Sequence, residues 1–523
     1  MVSKLNISEE YSEYLKDESR VIGTAESISF PKNEAEVIKI MKEMCKTSTQ
    51  VTIQGARTGI SAGAVPFGGH IMNLSKMDNV LGMRKDKNGI YNITVQPGVI
   101  LSNLRERISK RRFNTTVWDD ASKKDFIIFC NDQEHFFAPD PTEASATIGG
   151  MVACNASGAR SYKYGSTRDH ISAIRVVLSS GDVISLKRGQ TLANGRKSTL
   201  ITDAGRYLEL ELPKYIMPKA KNTSAYYVSD NMDMIDLFIG ADGTLGIISE
   251  IELKLLPLPQ YIWGVTRFFN DRDKAIQFVC EARESIKSIA SIEYFDGNAL
   301  DILRRQRKSN PGFARIPHLP EKMSEAVFVE LHSLTEDLNL KNTFELQNIM
   351  DSLDVQENRS WVARNDVDRD LLYFFRHAVP ESVNMLIDGF KKENPSLAKL
   401  GTDMSVPNNK LKEIIDIYNE KLAESGLKSA TWGHIGDNHL HVNILPMNAS
   451  EYEQGKELYM SWAETVVKYG GAISAEHGVG KLKVDLLKVM YGDQSIIEMK
   501  ELKKQLDPKE LLGVGTLFAQ GDR

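Results

Sequence analysis

Apolar residues recur at helical spacing in Val37, Ile40, Met41 and Met44, just after Asn33 and Glu36, a pair that reads as a capping box; the pattern predicts an amphipathic helix. Upstream, Ile7, Tyr11, Tyr14 and Leu15 fall on one helical face and predict a short opening helix docked on the body. Val51-Thr52-Ile53 and Tyr91 to Val95 read as strands, the second followed by Pro97-Gly98 and a helix carrying Leu101, Leu104 and Ile108. Ile174 to Leu178, Gly181-Asp182 and Val183 to Leu186 read as a hairpin. Between these, Phe113 to His135 has mixed polarity and little period, which predicts a surface insertion. Pro257 and Pro259 then interrupt the chain. Beyond them Phe268, Val279, Ile292, Phe328, Val329 and Leu331 scatter among strands and helices as far as about residue 460, where Leu440 to Leu445 is one clear strand.

Composition narrows the classes. A chain of 523 residues is too long for one simple core, so two or three domains are expected, and 41% hydrophobic with 26% charged residues is a globular balance. The net charge of -5 gives no electrostatic case for nucleic acid, and the basic runs Arg105 to Arg112 and Arg304 to Lys308 read as solvated helix faces. Cys45, Cys130, Cys154 and Cys280 form no Cys-x-x-Cys pair, which argues against an iron-sulfur cluster, a zinc ribbon or a disulfide framework and fits a reducing cytoplasm. No apolar run is long enough to span a bilayer, and the acidic first twenty residues are unlike a signal peptide. The expectation is a soluble, unprocessed, cytoplasmic protein.

Candidate chemistry concentrates between Thr431 and Asn443, which hold three of the ten histidines. His439 and His441 alternate on a strand and share a face, while the turn chemistry of Gly436-Asp437-Asn438 brings His434 back towards His441. Imidazoles so placed suit zinc, manganese, iron or cobalt, and Glu476, in Ser474 to Gly480, offers the carboxylate such a site needs. A buried polar turn with hydrogen-bonded histidines is the alternative. Three small-residue runs stand apart: Gln54 to Gly63, whose backbone N-H groups suit a pyrophosphate; Ala138 to Gly158, suited to close packing against a flat ligand; and the Gly-rich turn from Phe238 to Ile248.

The order of these motifs is specific. The Gln54–Gly63 loop, the Pro139-Asp140-Pro141 run through Gly158, Tyr164-Gly165, Gly243-Thr244-Leu245-Gly246-Ile247, Gly433-His434 through His441, and Glu476-His477-Gly478 together resemble the vanillyl-alcohol-oxidase, or PCMH-type, FAD flavoproteins. The D-2-hydroxy-acid dehydrogenases, which include D-lactate, glycolate and D-2-hydroxyglutarate enzymes, are the most similar branch. The likeness runs from about Glu18 to the Leu506-Asp507-Pro508 and Leu517-Phe518 motifs. It implies an α+β architecture: a two-subdomain PCMH-type FAD-binding domain at 1–258, an α+β cap or substrate domain at 259–460, and a helical C-terminal segment at 461–523 completing the active site.

What the resemblance implies for the site follows residue by residue. The backbone of Gly55, Ala56, Arg57, Thr58, Gly59, Ser61 and Gly63 would take the FAD pyrophosphate. Pro139, Asp140, Thr142, Thr147, Gly149, Gly150, Asn155, Gly158 and Gly165 would line the cofactor, with Gly246 and Ile247 closing over the adenine side. The pyrophosphate loop has no evident linking residue, so the FAD is expected to be non-covalent. His434, His441 and Glu476 would bind a divalent metal, zinc or manganese, and His477 would be the catalytic base. Arg376 would hold the substrate carboxylate with its planar fork, and Asn443 would sit near flavin or substrate. The implied reaction takes a D-2-hydroxy acid to its 2-oxo acid, with D-lactate ahead of D-2-hydroxyglutarate. Electrons would leave through a separate acceptor such as electron-transferring flavoprotein, a quinone system or a cytochrome, which allows peripheral membrane association. Oligomeric state stays open, a homodimer included.

Four positions depart from the family pattern. Arg57 replaces a glycine, Asp242 stands where glutamate is frequent, and His439 takes an asparagine position, where it would compete for the ion or contact substrate. Gly401 stands where some members carry a substrate-contacting lysine, although Lys399 is close by. That loss bears on a dicarboxylate substrate, whose distal charge wants a cation. Two alternatives accompany the dehydrogenase reading: a non-catalytic or electron-relay FAD subunit, and a colourless zinc hydrolase that leaves the FAD-like motifs unexplained.

Overall fold

The computed structural model describes residues 4–355, 360–392, 394 and 397–519. Strands Ser27–Ser29, His70–Asn73 and Val51–Gln54 run parallel, with Leu5–Asn6 antiparallel on the outer edge. The helix Glu34–Thr47 covers them and buries Val37, Ile40, Met41 and Met44 in one cluster with Val51, Met72 and Ile247. Its cap forms as the sequence predicts: the Asn33 side chain accepts from the Glu36 N-H at 3.0 Å, and the Glu36 carboxylate reaches back to the Lys32 N-H at 2.8 Å. The opening helix differs from expectation. Glu9–Leu15 is a 3-10 helix with no buried residue, and it docks by ring edges, Tyr14 against Phe30.

A second, antiparallel sheet orders Val80–Lys85, Tyr91–Val95, Ile247–Lys254, Ile171–Val177 and Val183–Lys187. The predicted hairpin is present, with Val177 opposite Val183 and Gly181 at φ 83° in its turn. The segment Phe113 to His135 corrects the expectation of a surface insertion. It contains the helix Asp120–Asn131, started by the Asp119 side chain on the Ser122 N-H, and it places Trp118 and Phe129 in the core. The Trp118 indole donates to the Val80 carbonyl at 2.8 Å, and Phe113, Phe126, Phe129, Tyr91 and His135 join it in a chain of ring contacts. Aromatic edges carry this packing, so a helical apolar stripe is absent from the sequence.

The third sheet is the largest. Ser360–Ala363, Tyr261–Phe269, Glu325–Ser333, Ile289–Phe295, Ser429–Gly433, His439–Ile444 and Leu400–Gly401 follow one another, with Met404–Ser405 also on His439–Ile444. Both faces are covered. Phe268, Phe295 and Phe328 face the helices Gly297–Ser309 and Asp366–Lys391, while Val265, Ile292, Val327 and Val329 join the cluster that includes the helices Arg272–Ser285 and Glu336–Ser352. Burial on both faces leaves these strands without a clean apolar–polar alternation. The end of the chain returns to the first sheet: the Val51 N-H donates to the Leu511 carbonyl at 2.7 Å and the Gly513 N-H to the Val51 carbonyl at 3.1 Å.

Candidate functional site

A cleft of about 360 Å³ lies between the loop after Val51–Gln54, the start of the helix Ile148–Ala153 and the turn before Ile247–Lys254. Gly55, Ala56, Arg57, Thr58, Gly59, Ser61 and Gly63 form one wall, Thr142, Thr147, Gly149 and Gly150 another, and Gly246 a third. The backbone demands these small residues. A Cβ at Gly55 would lie 2.2 Å from Thr147 Oγ1 and one at Gly149 2.5 Å from Pro97, whereas Gly59 faces open space. Main chain is thereby exposed along the wall, which is what a dinucleotide pyrophosphate requires.

The other expected cofactor residues sit behind that wall. Asp140 and the Pro139 carbonyl both accept from Arg105, and the Gly158 Cα packs so tightly on the Asp140 carbonyl that a Cβ would meet it at 1.7 Å. Asn155 and Gly165 border a separate cavity of about 580 Å³. Ile247 points into the core beneath the helix Glu34–Thr47, and its strand neighbour Ile248 faces the cleft instead. Arg57 holds φ 61°, a region glycine favours, and stacks its guanidinium 4.3 Å from the Tyr14 ring centroid. Its family departure is thereby resolved outward, onto the opening 3-10 helix.

The histidines gather at the far end. Asn438 at φ 54° closes the turn between Ser429–Gly433 and His439–Ile444, and the ring centroids of His434 and His441 come within 5.6 Å, those of His439 and His441 within 4.4 Å. Donor atoms of His434, His439, His441 and Glu476 all lie within 4.8 Å of one another. Tautomers are set from outside. His434 Nδ1 bonds Glu293 Oε1 at 2.7 Å and His441 Nδ1 bonds the Thr402 carbonyl at 3.1 Å, which leaves both Nε2 atoms for the cluster. His434 Nε2 already lies 3.3 Å from Glu476 Oε1. A divalent ion fits this donor set: His434 and His441 are backed from outside by Glu293 and the Thr402 carbonyl, and an ion at their Nε2 atoms would take the place of the proton that His434 shares with Glu476.

Charge inside the cluster is balanced by groups the sequence did not flag. Lys221 donates to Glu476, and also reaches Asp437 Oδ2 at 3.4 Å and the Gly158 carbonyl at 3.1 Å. Glu293 bridges His434 and Arg376, whose Nε lies 3.1 Å from Glu293 Oε2. Burial disfavours charge on His434, but Glu293 and Glu476 on its two sides outweigh that and raise it to about 9. Burial likewise pushes the Glu476 carboxyl up, while His434 and Lys221 hold it well below the usual carboxylate range. Desolvation, and then the neighbouring imidazoles of His439 and His434, drive His441 well below the ordinary histidine value. Glu293 had one legible signal, the single charged residue in the fully buried strand Ile289–Phe295; Lys221 lies in a loop with none.

Asp403 organises the loop that carries Glu476 and His477. At 2% exposure, its carboxylate accepts from the Ser474 hydroxyl at 2.7 Å, the backbone N-H groups of Glu476 and His477 at 3.2 and 3.1 Å, and Lys483 at 2.6 Å. His477 Nδ1 lies 3.1 Å from Asp403 Oδ2, so its Nε2 is left for the cleft that His477 and Glu476 both border. Two further contacts tie this loop to the cofactor wall. Ser61 Oγ donates to the His477 carbonyl at 2.5 Å, and Gly480, at φ 54°, packs where a Cβ would stand 2.1 Å from the Ser61 carbonyl. Asp242 accepts from the Gly480 N-H at 3.1 Å, which gives this departure its place.

The expected substrate residues are dispersed. Arg376 lies one turn before Pro380 in the helix Asp366–Lys391, and proline cannot bond the Arg376 carbonyl, a natural place for that helix to bend. Asn443 is buried and donates to the His441 carbonyl at 2.9 Å; its Oδ1 faces Gly401, where a Cβ would come within 2.7 Å. Lys399 is exposed.

Comparison with known proteins agrees with this geometry. A family model described as FAD binding domain matches residues 25–122 and 122–187, and one described as FAD linked oxidases, C-terminal domain matches residues 258–517. The chain is 26% identical over 515 residues to a D-lactate dehydrogenase of Anaerostipes hadrus, covering 97% of this chain and 92% of that protein. It is 27% identical over 522 residues to a D-2-hydroxyglutarate dehydrogenase of Stutzerimonas stutzeri (strain A1501), covering 97% and 94%. A structure of alkyldihydroxyacetonephosphate synthase superposes with a TM-score of 0.59 at 15% identity, over 94% of this chain and 76% of that one, and so shares the fold. Matched in this order along most of its length, the chain belongs to the PCMH-type FAD-linked oxidases, a family of flavin-dependent oxidoreductases.

Proposed function

We propose that this protein is an FAD- and divalent-metal-dependent dehydrogenase that oxidises a D-2-hydroxy acid to its 2-oxo acid, D-lactate ahead of D-2-hydroxyglutarate. One observation carries the reading: His434 and His441 have Nδ1 tied back and Nε2 turned towards the cluster, beside Glu476, and the next residue, His477, opens on the cleft. Bound FAD supplies a two-electron acceptor, and a divalent ion on His434, His441 and Glu476 supplies the charge that lowers the pKa of a substrate hydroxyl. His477 receives the substrate proton at Nε2, because Nδ1 is committed to Asp403. Arg376 keeps its terminal nitrogens for a carboxylate while Glu293 takes Nε. The FAD is held non-covalently. Cys154, in the cleft wall, donates to the Gly150 carbonyl, and burial pushes its thiol up to about 12, too protonated to add to a ring.

The names of the relatives support the substrate class. The exposure of Lys399 and the absence of a side chain at Gly401 favour a monocarboxylate, since Arg376 is then the substrate cation. Electrons pass to a separate acceptor such as an electron-transferring flavoprotein, a quinone system or a cytochrome. Among the described residues no helix is long and apolar enough to cross a membrane. The test is anaerobic flavin bleaching by D-lactate, L-lactate, glycolate and D-2-hydroxyglutarate, with and without a chelator. Bleaching by D-lactate that chelation abolishes is expected. Firmly bound FAD that no acid bleaches would overturn the proposal in favour of a relay subunit.

A further inference from the structure

His439 is fully buried, and neither of its ring nitrogens has a hydrogen-bond partner. Such a ring is rare, because a buried polar atom without a partner forfeits its interaction with water and gains nothing in exchange. Its surroundings show what would satisfy it. Nε2 lies 3.1 Å from Asp403 Oδ1, without the alignment of a hydrogen bond, and that oxygen accepts from the Glu476 N-H at 3.2 Å. On the opposite side Nδ1 lies 3.9 Å from Glu476 Oε1, towards the gap shared by His434, His441 and Glu476.

We infer that His439 is a fourth protein ligand, making a three-histidine, one-glutamate centre for an ion that takes five or six ligands. A slight turn of the ring seats Nε2-H on Asp403 and bares Nδ1, the same carboxylate-backed arrangement that Glu293 gives His434. Donors around an ion at about 2.0–2.2 Å stand at most ~4.4 Å apart, so a cluster spanning 4.8 Å closes by a few tenths of an ångström. Four protein donors fill a tetrahedral zinc ion and leave no place for substrate. Manganese, iron(II) or cobalt(II) accepts the same four and still has room for one or two substrate oxygens. This rests on the metal-dependent reading above and adds to it the coordination number and the class of ion.

The test compares FAD-loaded, metal-stripped protein with its His439→Asn variant in titrations with cobalt(II), read by visible absorption and chelator competition. FAD content reports folding independently, because His439 does not border the FAD cleft. The expected result is at least a tenfold loss of cobalt affinity in the variant, with weak five- or six-coordinate absorption bands in the parent. Pulsed electron paramagnetic resonance on the unmutated protein loaded with copper(II) counts the bound imidazoles without any substitution, and three are expected. Equal cobalt affinity in both proteins, or two imidazoles, overturns the role of His439 alone. Failure of the parent to bind cobalt overturns the metal-dependent reading as well.

Discussion

Replacing Asp403 by asparagine keeps the shape of the side chain and removes its charge. The buried carboxylate accepts from Ser474, Lys483 and two backbone N-H groups, and lies against His477. Burial pushes this carboxyl up, yet His477 and Lys483 outweigh it and hold it well below the usual carboxylate range. Asparagine leaves Lys483 without its counter-charge, among neutral acceptors such as the Ser474 hydroxyl at 2.8 Å, and sets an amide N-H against a donor. Breaking a buried ion pair from one side costs about 3–5 kcal/mol, so a loss of that order is expected in urea unfolding. The functional loss is separate. His477 loses the charged acceptor that fixes its tautomer and stabilises its protonated form, and general-base effects of about 10²–10⁴-fold in rate are at stake. Anaerobic stopped-flow with D-lactate should show the flavin reduced at least ~100-fold more slowly, with FAD retained. Combining Asp403→Asn with His477→Ala should slow reduction no further than His477→Ala alone, because the two act as one unit. A variant that unfolds within ~1 kcal/mol of the parent and reduces flavin at the parental rate would refute the reasoning.

His477→Ala is expected to retain FAD and metal but lose flavin reduction, whereas His434→Ala should lose metal and reduction together, as metal analysis alongside bleaching will show. Gly480→Ala should release FAD: a Cβ there would meet the Ser61 carbonyl at 2.1 Å on a backbone at φ 54°, and the left-handed strain alone costs ~1–2 kcal/mol. The FAD-to-protein ratio after gel filtration reads this directly, and parental retention would count against the stitching of the two loops. Glu325, buried and bonded by the Tyr294 hydroxyl, has its carboxyl pushed up to about 8 by burial. The folded state therefore binds this proton more tightly than the unfolded chain, and the stability it contributes is present in acid and lost as pH rises towards about 8. Glu325→Gln should match the parent near pH 5 and exceed it by roughly 2–5 kcal/mol near pH 9, measured by urea unfolding. A constant difference across that range would contradict the assignment.

Local patterns were enough for much of the chain. Asn33 and Glu36 announced the first long helix, Val177 and Val183 the hairpin, and the alternation of His439 and His441 their shared face, because capping and strand periodicity depend on neighbours a few residues away. The glycine-rich loops were equally legible, since close main-chain approach excludes side chains wherever it occurs. What acts across the chain was not. Trp118 and Phe129 looked like parts of a surface insertion until Tyr91 and Val80 were packed beside them. Ile247 gave up the cleft to Ile248 because the phase of a strand is set by the sheet it joins. Glu293, Lys221 and Asp403 reach the histidine cluster from three distant segments, and no spacing in the sequence encodes that meeting. The residue types capable of the chemistry are thus written locally, while their tautomers, charges and partners come from long-range packing, which alone decides what lies against a buried polar atom.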